Sequence, residues 1–272
     1  MFDLDAYLAR IDMPARPTLD AAGLARLQLA HRLAVPFENI DVALGRGIAI
    51  DGAAVFDKLV TARRGGYCFE QDRLFRDALA ALGFAVRPLL ARVWLDMTTP
   101  PPLTHTFSLV TVEGQHWIAD AGFGGSYAPP MPLVDGAEAT APDGARFLLV
   151  VEGDGWLLLR DGPAATTDGR GGGAGWQRQY GFTLATVEQA DLALSNHWTS
   201  TAPGTRFTSH VVASIVLPHG FAGLTDRAYR RRAGDNETAG MIDDPRVYRM
   251  RLGLMFGIAL TKEEVAGLGL FT

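Results

Sequence analysis

The sequence predicts an α+β fold, and three successive changes of pattern predict it. Residues 1–83 carry apolar side chains at helical spacing. Residues 84–184 break into short β-branched and aromatic runs separated by turn residues. From 185 to 272 helical and strand patterns mix. Helices, then sheet, then a mixed unit give three parts with those boundaries. No internal repeat stands out.

The elements follow in order. The segment 18–34 places Leu24, Leu27 and His31 on one helical stripe, with Thr18 as the expected N-cap. It must stop near Val35-Pro36, because proline disfavours helix in the residue before it. The segment 51–64 reads as a second helix, capped by Asp51 and ended by Gly65-Gly66, with Val55, Phe56, Leu59 and Val60 as its stripe. A third begins around Cys68, carries Leu74, Phe75, Ala78, Leu79 and Leu82, and closes at Gly83.

Strands are expected over 84–95, 105–112, 116–123, 146–152, 156–160 and 176–184, with a hairpin turn at 152–155. The glycine-rich stretch 166–175 reads as a flexible loop and lacks phosphate-loop spacing. Thr186 and Gln189 have capping-box spacing before a helix over 186–198. The stretch 207–218 reads as strand. Thr261 and Glu264 mark a last helix.

Composition narrows the function. Of 272 residues, 48% are hydrophobic and 20% charged, enough for a large core without staples. The single cysteine excludes an intrachain disulfide and a multi-thiolate zinc site, and favours a reducing, cytoplasmic setting. No metal-ligand spacing occurs. The acidic N-terminus does not read as a signal peptide, and the apolar run 252–260 is too short to span a membrane. With a net charge of −5, nucleic acid is not an expected partner. The arginine cluster at 226–232 reads as a solvated helix face, or as an anion-contacting patch.

Cys68 is the first candidate for chemistry. A lone cysteine is either buried filler or a reactive thiol, and a helix start after Gly-Gly offers a reason for reactivity. The first-turn N–H groups favour a thiolate, and Arg63 and Arg64 would add positive potential. A nucleophile needs a base. His31 looks structural, and His116, His210 and His219 have no obvious orienting acid. His197 is expected to follow a helix and could line a pocket. His105 opens a strand whose hairpin partner leads to Asp120. If Glu113-Gly114 is a two-residue turn, the two residues share a face as diagonal neighbours. A three-residue turn would separate them. An ordinary polar contact is the alternative reading of that pair. Together Cys68, His105 and Asp120 would form a nucleophile, base and orienting acid.

The stretches "RRGGYCFEQ", "THTFSLV" and "IADAGFGGSY", with "VPFENID", "NHWTSTAPGTRF" and "MFGIAL", resemble the arylamine N-acetyltransferases in family order, nearly end to end. The resemblance implies a helical bundle, a β-barrel and an α/β lid around a cysteine-protease-like Cys-His-Asp core. It implies acetyl-coenzyme A (acetyl-CoA) as donor and ping-pong transfer to arylamines, arylhydrazines or N-hydroxyarylamines. The family's catalytic residues fall on Cys68, His105 and Asp120, and its apolar pocket positions on Phe37, Val93 and Phe123. Gly124, Gly125 and Ser126 fall near the coenzyme's pantetheine arm. A macrolactam-closing amide synthase on the same fold, a Cys-His-Asp hydrolase and a non-catalytic binding protein are the rival readings. Two positions depart from the family pattern. Asp72-Arg73 replaces an Asn-Gly pair, expected on a helix exterior, and His197 alters an Asn-Trp-Tyr segment.

Overall fold

The computed structural model describes residues 2–95 and 97–271. Its N-terminal part is a small helical bundle. α1 (Leu4–Arg10) and α2 (Ala21–Ala34) lead into the two-residue strand β1 (Phe37–Glu38). α3 (Ile40–Ala43), α4 (Gly52–Phe56) and α5 (Cys68–Leu82) follow. α2 stops where expected, with Val35 extended ahead of Pro36. Its cap is Asp20 rather than Thr18. The Asp20 carboxylate accepts from the Gly23 N–H at 2.7 Å, and Thr18 Oγ1 donates to that carboxylate at 2.8 Å. An anion is the better acceptor for an unpaired helix N–H.

Asp51 caps α4 through the Ala54 N–H, at 3.0 Å. The helix then passes into a π-helical turn, Asp57–Thr61, and ends before the glycine pair is reached. Gly65 is therefore not its cap and serves close approach instead. A Cβ there would lie 2.3 Å from the Pro36 carbonyl oxygen. α5 begins at Cys68 and closes at Gly83, which is left-handed at φ 106°.

The middle part comprises β2 (Ala85–Val93), β3 (Leu103–Val112), β4 (Gln115–Ala119), β5 (Met131–Pro132), β6 (Ala137–Thr140), β7 (Arg146–Glu152), β8 (Gly155–Gly162) and β9 (Gly173–Phe182). They form one antiparallel sheet of order β5-β4-β3-β2-β9-β8-β7-β6, curled into a nearly closed barrel. Strand alternation puts Leu89, Phe107, Phe147, Leu158 and Tyr180 inside it. Val110, Val112 and Ala119 point the other way, into the helical core with Leu27, Phe75 and Leu79. The strand expected over 116–123 ends at Ala119, and its last four residues leave the sheet. The glycine-rich stretch is partly regular, because a 3₁₀ turn closes at Thr166 and β9 starts at Gly173.

α6 (Gln189–Thr201) and α7 (Arg206–Ser209) open the last part. β10 (Val212–Leu217), β11 (Gly220–Thr225), β12 (Ala228–Ala233), β13 (Asn236–Met241), α8 (Pro245–Phe256) and α9 (Lys262–Gly267) complete it. α6 starts later than expected. Its cap is Glu188, whose N–H donates to the Asp191 carboxylate at 2.8 Å, so Thr186 and Gln189 do not form the box. The box at Thr261 and Glu264 does form, at 3.1 and 2.7 Å. Only the second half of 207–218 is strand. The arginine cluster lies largely on β12, hydrogen-bonded on both sides, and not on a helix. β1 pairs with β10, so a strand from the first part completes the sheet β1-β10-β11-β12-β13 of the last. Among the described residues no helix is long and apolar enough to cross a membrane. The three parts meet where Phe37, Cys68, Phe69, Leu90, Leu192 and Val212 pack together.

Candidate active site

Cys68 sits at that junction, buried at the first position of α5. The Tyr67 N–H donates to the Glu70 carboxylate at 3.1 Å, which fixes the start of the helix. The sulfur faces the Thr104 carbonyl at 3.7 Å. The two preceding arginines do not serve it. Arg64 pairs with Glu38 at 2.8 Å and Arg63 is exposed, so of the features read near Cys68 in the sequence the helix start is the one that remains.

Glu113 and Gly114 both have positive φ, 50° and 82°, as a two-residue hairpin turn requires. Val112 pairs with Gln115 and Ser108 with Ala119. That register brings His105 Nε2 to 2.8 Å from Asp120 Oδ2. An ionised carboxylate only accepts, so Nε2 carries the proton and Nδ1 is left for the thiol. Cys68 lines the same cavity as His105 and lies close enough to favour the imidazolium. The His105 ring packs against Phe107, Phe123 and Tyr180, with centroids 5.9, 5.1 and 5.1 Å away.

Burial works against the imidazolium. The Asp120 charge and hydrogen bond, with Cys68 beside them, overcome it and raise the His105 pKa to about 10. Burial likewise works to raise Asp120. His105, the Gly122 N–H and Arg32 overcome it and hold Asp120 below the usual carboxylate range. Gly122 is required here, since a Cβ would lie 2.9 Å from Cys68 Cα.

Two residues of α2 that sequence reasoning passed over support this loop from beneath. Gln28 Oε1 accepts the Asp120 N–H at 2.8 Å, and Gln28 Nε2 donates to the Ala128 carbonyl at 2.7 Å. Arg32 donates to the carbonyls of Ala121 and Phe123 at 3.2 and 2.8 Å. Their four-residue spacing on a predicted helix was the available signal, and nothing local showed that this face meets residue 120.

A cavity of about 100 Å³ opens onto the sulfur and imidazole. Phe37, Val93 and Phe123 line it, as do Gly124 and Gly125. Ser126 does not. It is buried behind them, its hydroxyl 3.5 Å from Gln179. Sequence reasoning missed Phe207 and Val212, which line the cavity beside Phe37, and Asp168, which binds Arg170 and Arg206 at 2.7 and 3.0 Å. His197 lies within α6 on its exposed side, outside the cavity. His210 does have an acid, Asp226 at 2.7 Å, on the surface. His31 is structural as expected, between Tyr7 and Gln71. Asp72 departs most from expectation. It is fully buried beneath the site, hydrogen-bonded to Ser108 and paired with Arg76.

Among the described residues no group of three or more His, Cys, Asp or Glu could hold a metal ion. A buried thiol at a helix start, facing a histidine and aspartate on a barrel rim, defines an enzyme core of the cysteine-protease type. Comparison narrows this further. A family model described as N-acetyltransferase matches residues 20–265. The arylamine N-acetyltransferase / N-hydroxyarylamine O-acetyltransferase of Salmonella typhimurium is 40% identical over 221 residues, 80% of this chain and 74% of that one. A solved arylamine N-acetyltransferase from Salmonella typhimurium superposes with a TM-score of 0.90 at 34% identity, covering 98% of both chains. The Mycobacterium marinum arylamine N-acetyltransferase, solved in complex with CoA, gives 0.88 at 30% identity, covering 99% of this chain and 100% of that one. The chain belongs to the arylamine N-acetyltransferase family and is an acyltransferase.

Proposed function

We propose that this enzyme moves an acetyl group from acetyl-CoA through Cys68 to an arylamine, arylhydrazine or N-hydroxyarylamine. The observation that carries it is the Cys68–His105–Asp120 contact at the base of an aromatic cavity in a member of this family. His105 takes the thiol proton, and the sulfur attacks the thioester carbonyl. The new S–C bond forms as the bond to coenzyme A breaks, and the coenzyme leaves as thiol with the proton from His105. The helix-start N–H groups around Cys68 are placed to meet the developing oxyanion. In the second half His105 accepts the proton of the attacking amine, and Cys68 is released. Phe37, Val93 and Phe123 hold the acceptor's ring, and Gly124 and Gly125 leave room for the pantetheine arm.

The three-part division at residues 83 and 184 belongs to the same proposal, as does a cytoplasmic location, for which the lone thiol speaks. Intact-mass spectrometry after mixing with acetyl-CoA should detect one acetyl group on the wild type and none on Cys68→Ser. The adduct should persist in buffer and discharge on adding an arylamine. Discharge at the same rate in buffer alone would make the protein a hydrolase.

A further inference from the structure

Asp72 lies four residues after Cys68, one turn along the same face of α5. It is fully buried, and a buried carboxylate is costly unless paired and hydrogen-bonded. Arg76 pairs with it from the next turn. Ser108 Oγ donates to Asp72 Oδ1 at 2.7 Å. Thr106 Oγ1 stands 3.4 Å from Oδ2 but only 2.9 Å from the Leu89 carbonyl, so its single proton goes to Leu89 and Ser108 makes the effective contact.

Ser108 is on β3, the strand that carries His105. Side chains alternate along a strand, so Thr106 and Ser108 face α5 while His105 and Phe107 face the barrel. The elements bearing the nucleophile and the base are therefore joined by a charged hydrogen bond, beside the weaker Cys68–Thr104 contact and apolar contacts such as Phe75 and Val110. We propose that Asp72, held by Arg76, is a positioning residue for acetyl transfer: through Ser108 it fixes β3 against α5 and thereby sets the Cys68–His105 contact. This rests on the reading of Cys68 and His105 as the reacting pair.

Burial raises the Asp72 pKa and Asp120 adds to it, while Arg76, the Ser108 hydroxyl and His105 act against it and favour the carboxylate. The remaining charged or titratable groups around the imidazole are Cys68, Tyr180 and, behind Asp120, Arg32. Asp168 lines the same cavity with Arg170 and Arg206.

The test is the pH profile of Cys68 alkylation by iodoacetamide, with kcat and KM for acetyl-CoA and an arylamine. A wild-type thiol no more reactive at about pH 6 than free cysteine would overturn the proposed function itself. With a reactive wild type, Asp72→Asn and Ser108→Ala should fold, with unchanged circular dichroism. Each should lower alkylation at about pH 6 by about tenfold, the effect of a one-unit shift in the pair. kcat should fall with KM kept within about twofold, as when a transition-state interaction is lost. Ser108→Thr, which keeps the hydroxyl, should restore the profile. Wild-type profiles in both Ser108→Ala and Asp72→Asn, whatever their melting temperatures, would reduce Asp72 to packing and overturn the inference.

Discussion

At the scale of single residues, the reactivity proposed for Cys68 rests on what surrounds His105. A buried imidazole left to itself would stay neutral at physiological pH, but Asp120 at 2.8 Å reverses that. Asp120 is in turn kept ionised by the Gly122 N–H and Arg32. Asp120→Asn should therefore leave the fold intact, remove the imidazolium's counter-charge and favour the wrong tautomer. Acetyl transfer should fall by about 10²-fold or more, measured as kcat/KM with an arylamine. That these three residues would meet was legible in the sequence, because each type has a chemical reason to sit where it does. Gln28 and Arg32 were not, because a polar residue on a helix reads as solvated until its partner loop is known.

At the scale of elements, the β3–β4 hairpin is the component whose register matters most. A side chain changes face with every residue, so a one-residue shift moves Asp120 away from the imidazole. Inserting a glycine between Glu113 and Gly114 should abolish acetyl transfer and Cys68 acetylation while circular dichroism stays that of a folded protein. α2 supplies a second prediction, of opposite kind. His31 is fully buried, with Nε2 donating to Gln71 Oε1 at 3.1 Å and Nδ1 accepting from Tyr7 at 2.9 Å. Burial first, then the charges of Arg32 and Arg10, lower its pKa from 6.5 to about 3. The unfolded chain binds a proton below about pH 6.5 that the folded chain refuses until about pH 3. Stability is therefore lost on acidification within that window, by up to about 1.4 kcal/mol per pH unit. Chemical denaturation at descending pH should show that slope in the wild type and a flatter one in His31→Gln.

At the scale of the molecule, the candidate site lies where the helices, the barrel sheet and the β1–β10 pair pack together. Asn39 shows how they are joined. Its Nδ2 donates to the carbonyls of Phe207 and His210 at 2.9 and 2.7 Å, and its Oδ1 accepts the Val212 N–H at 2.7 Å. It thereby aligns β1 with β10 and places Phe207 and Val212 on the cavity wall. Tyr67, beside Cys68, donates its hydroxyl proton to Asn196 of α6. Asn39→Ala would leave these backbone groups without their partner and should cost about 3 kcal/mol in urea denaturation. Its kcat/KM should fall further than a distant surface substitution of equal stability cost.

The sequence by itself determined the order of helices, sheet and mixed unit, the helix start at Cys68 and the hairpin that pairs His105 with Asp120. These are local properties of period, capping and turn chemistry, carried by neighbours in the chain. It misjudged caps at Thr18 and Thr186, where a nearby acid competes, and the arginine-rich strand β12, whose partners on both sides make it a strand. Only the tertiary structure decided that β1 completes a sheet more than 170 residues away, that Asp168 and Phe207 reach the cavity, and that Asp72 lies inside and not on a helix exterior. Burial and pairing across such separations depend on which faces pack together, and a single chain's pattern does not state that.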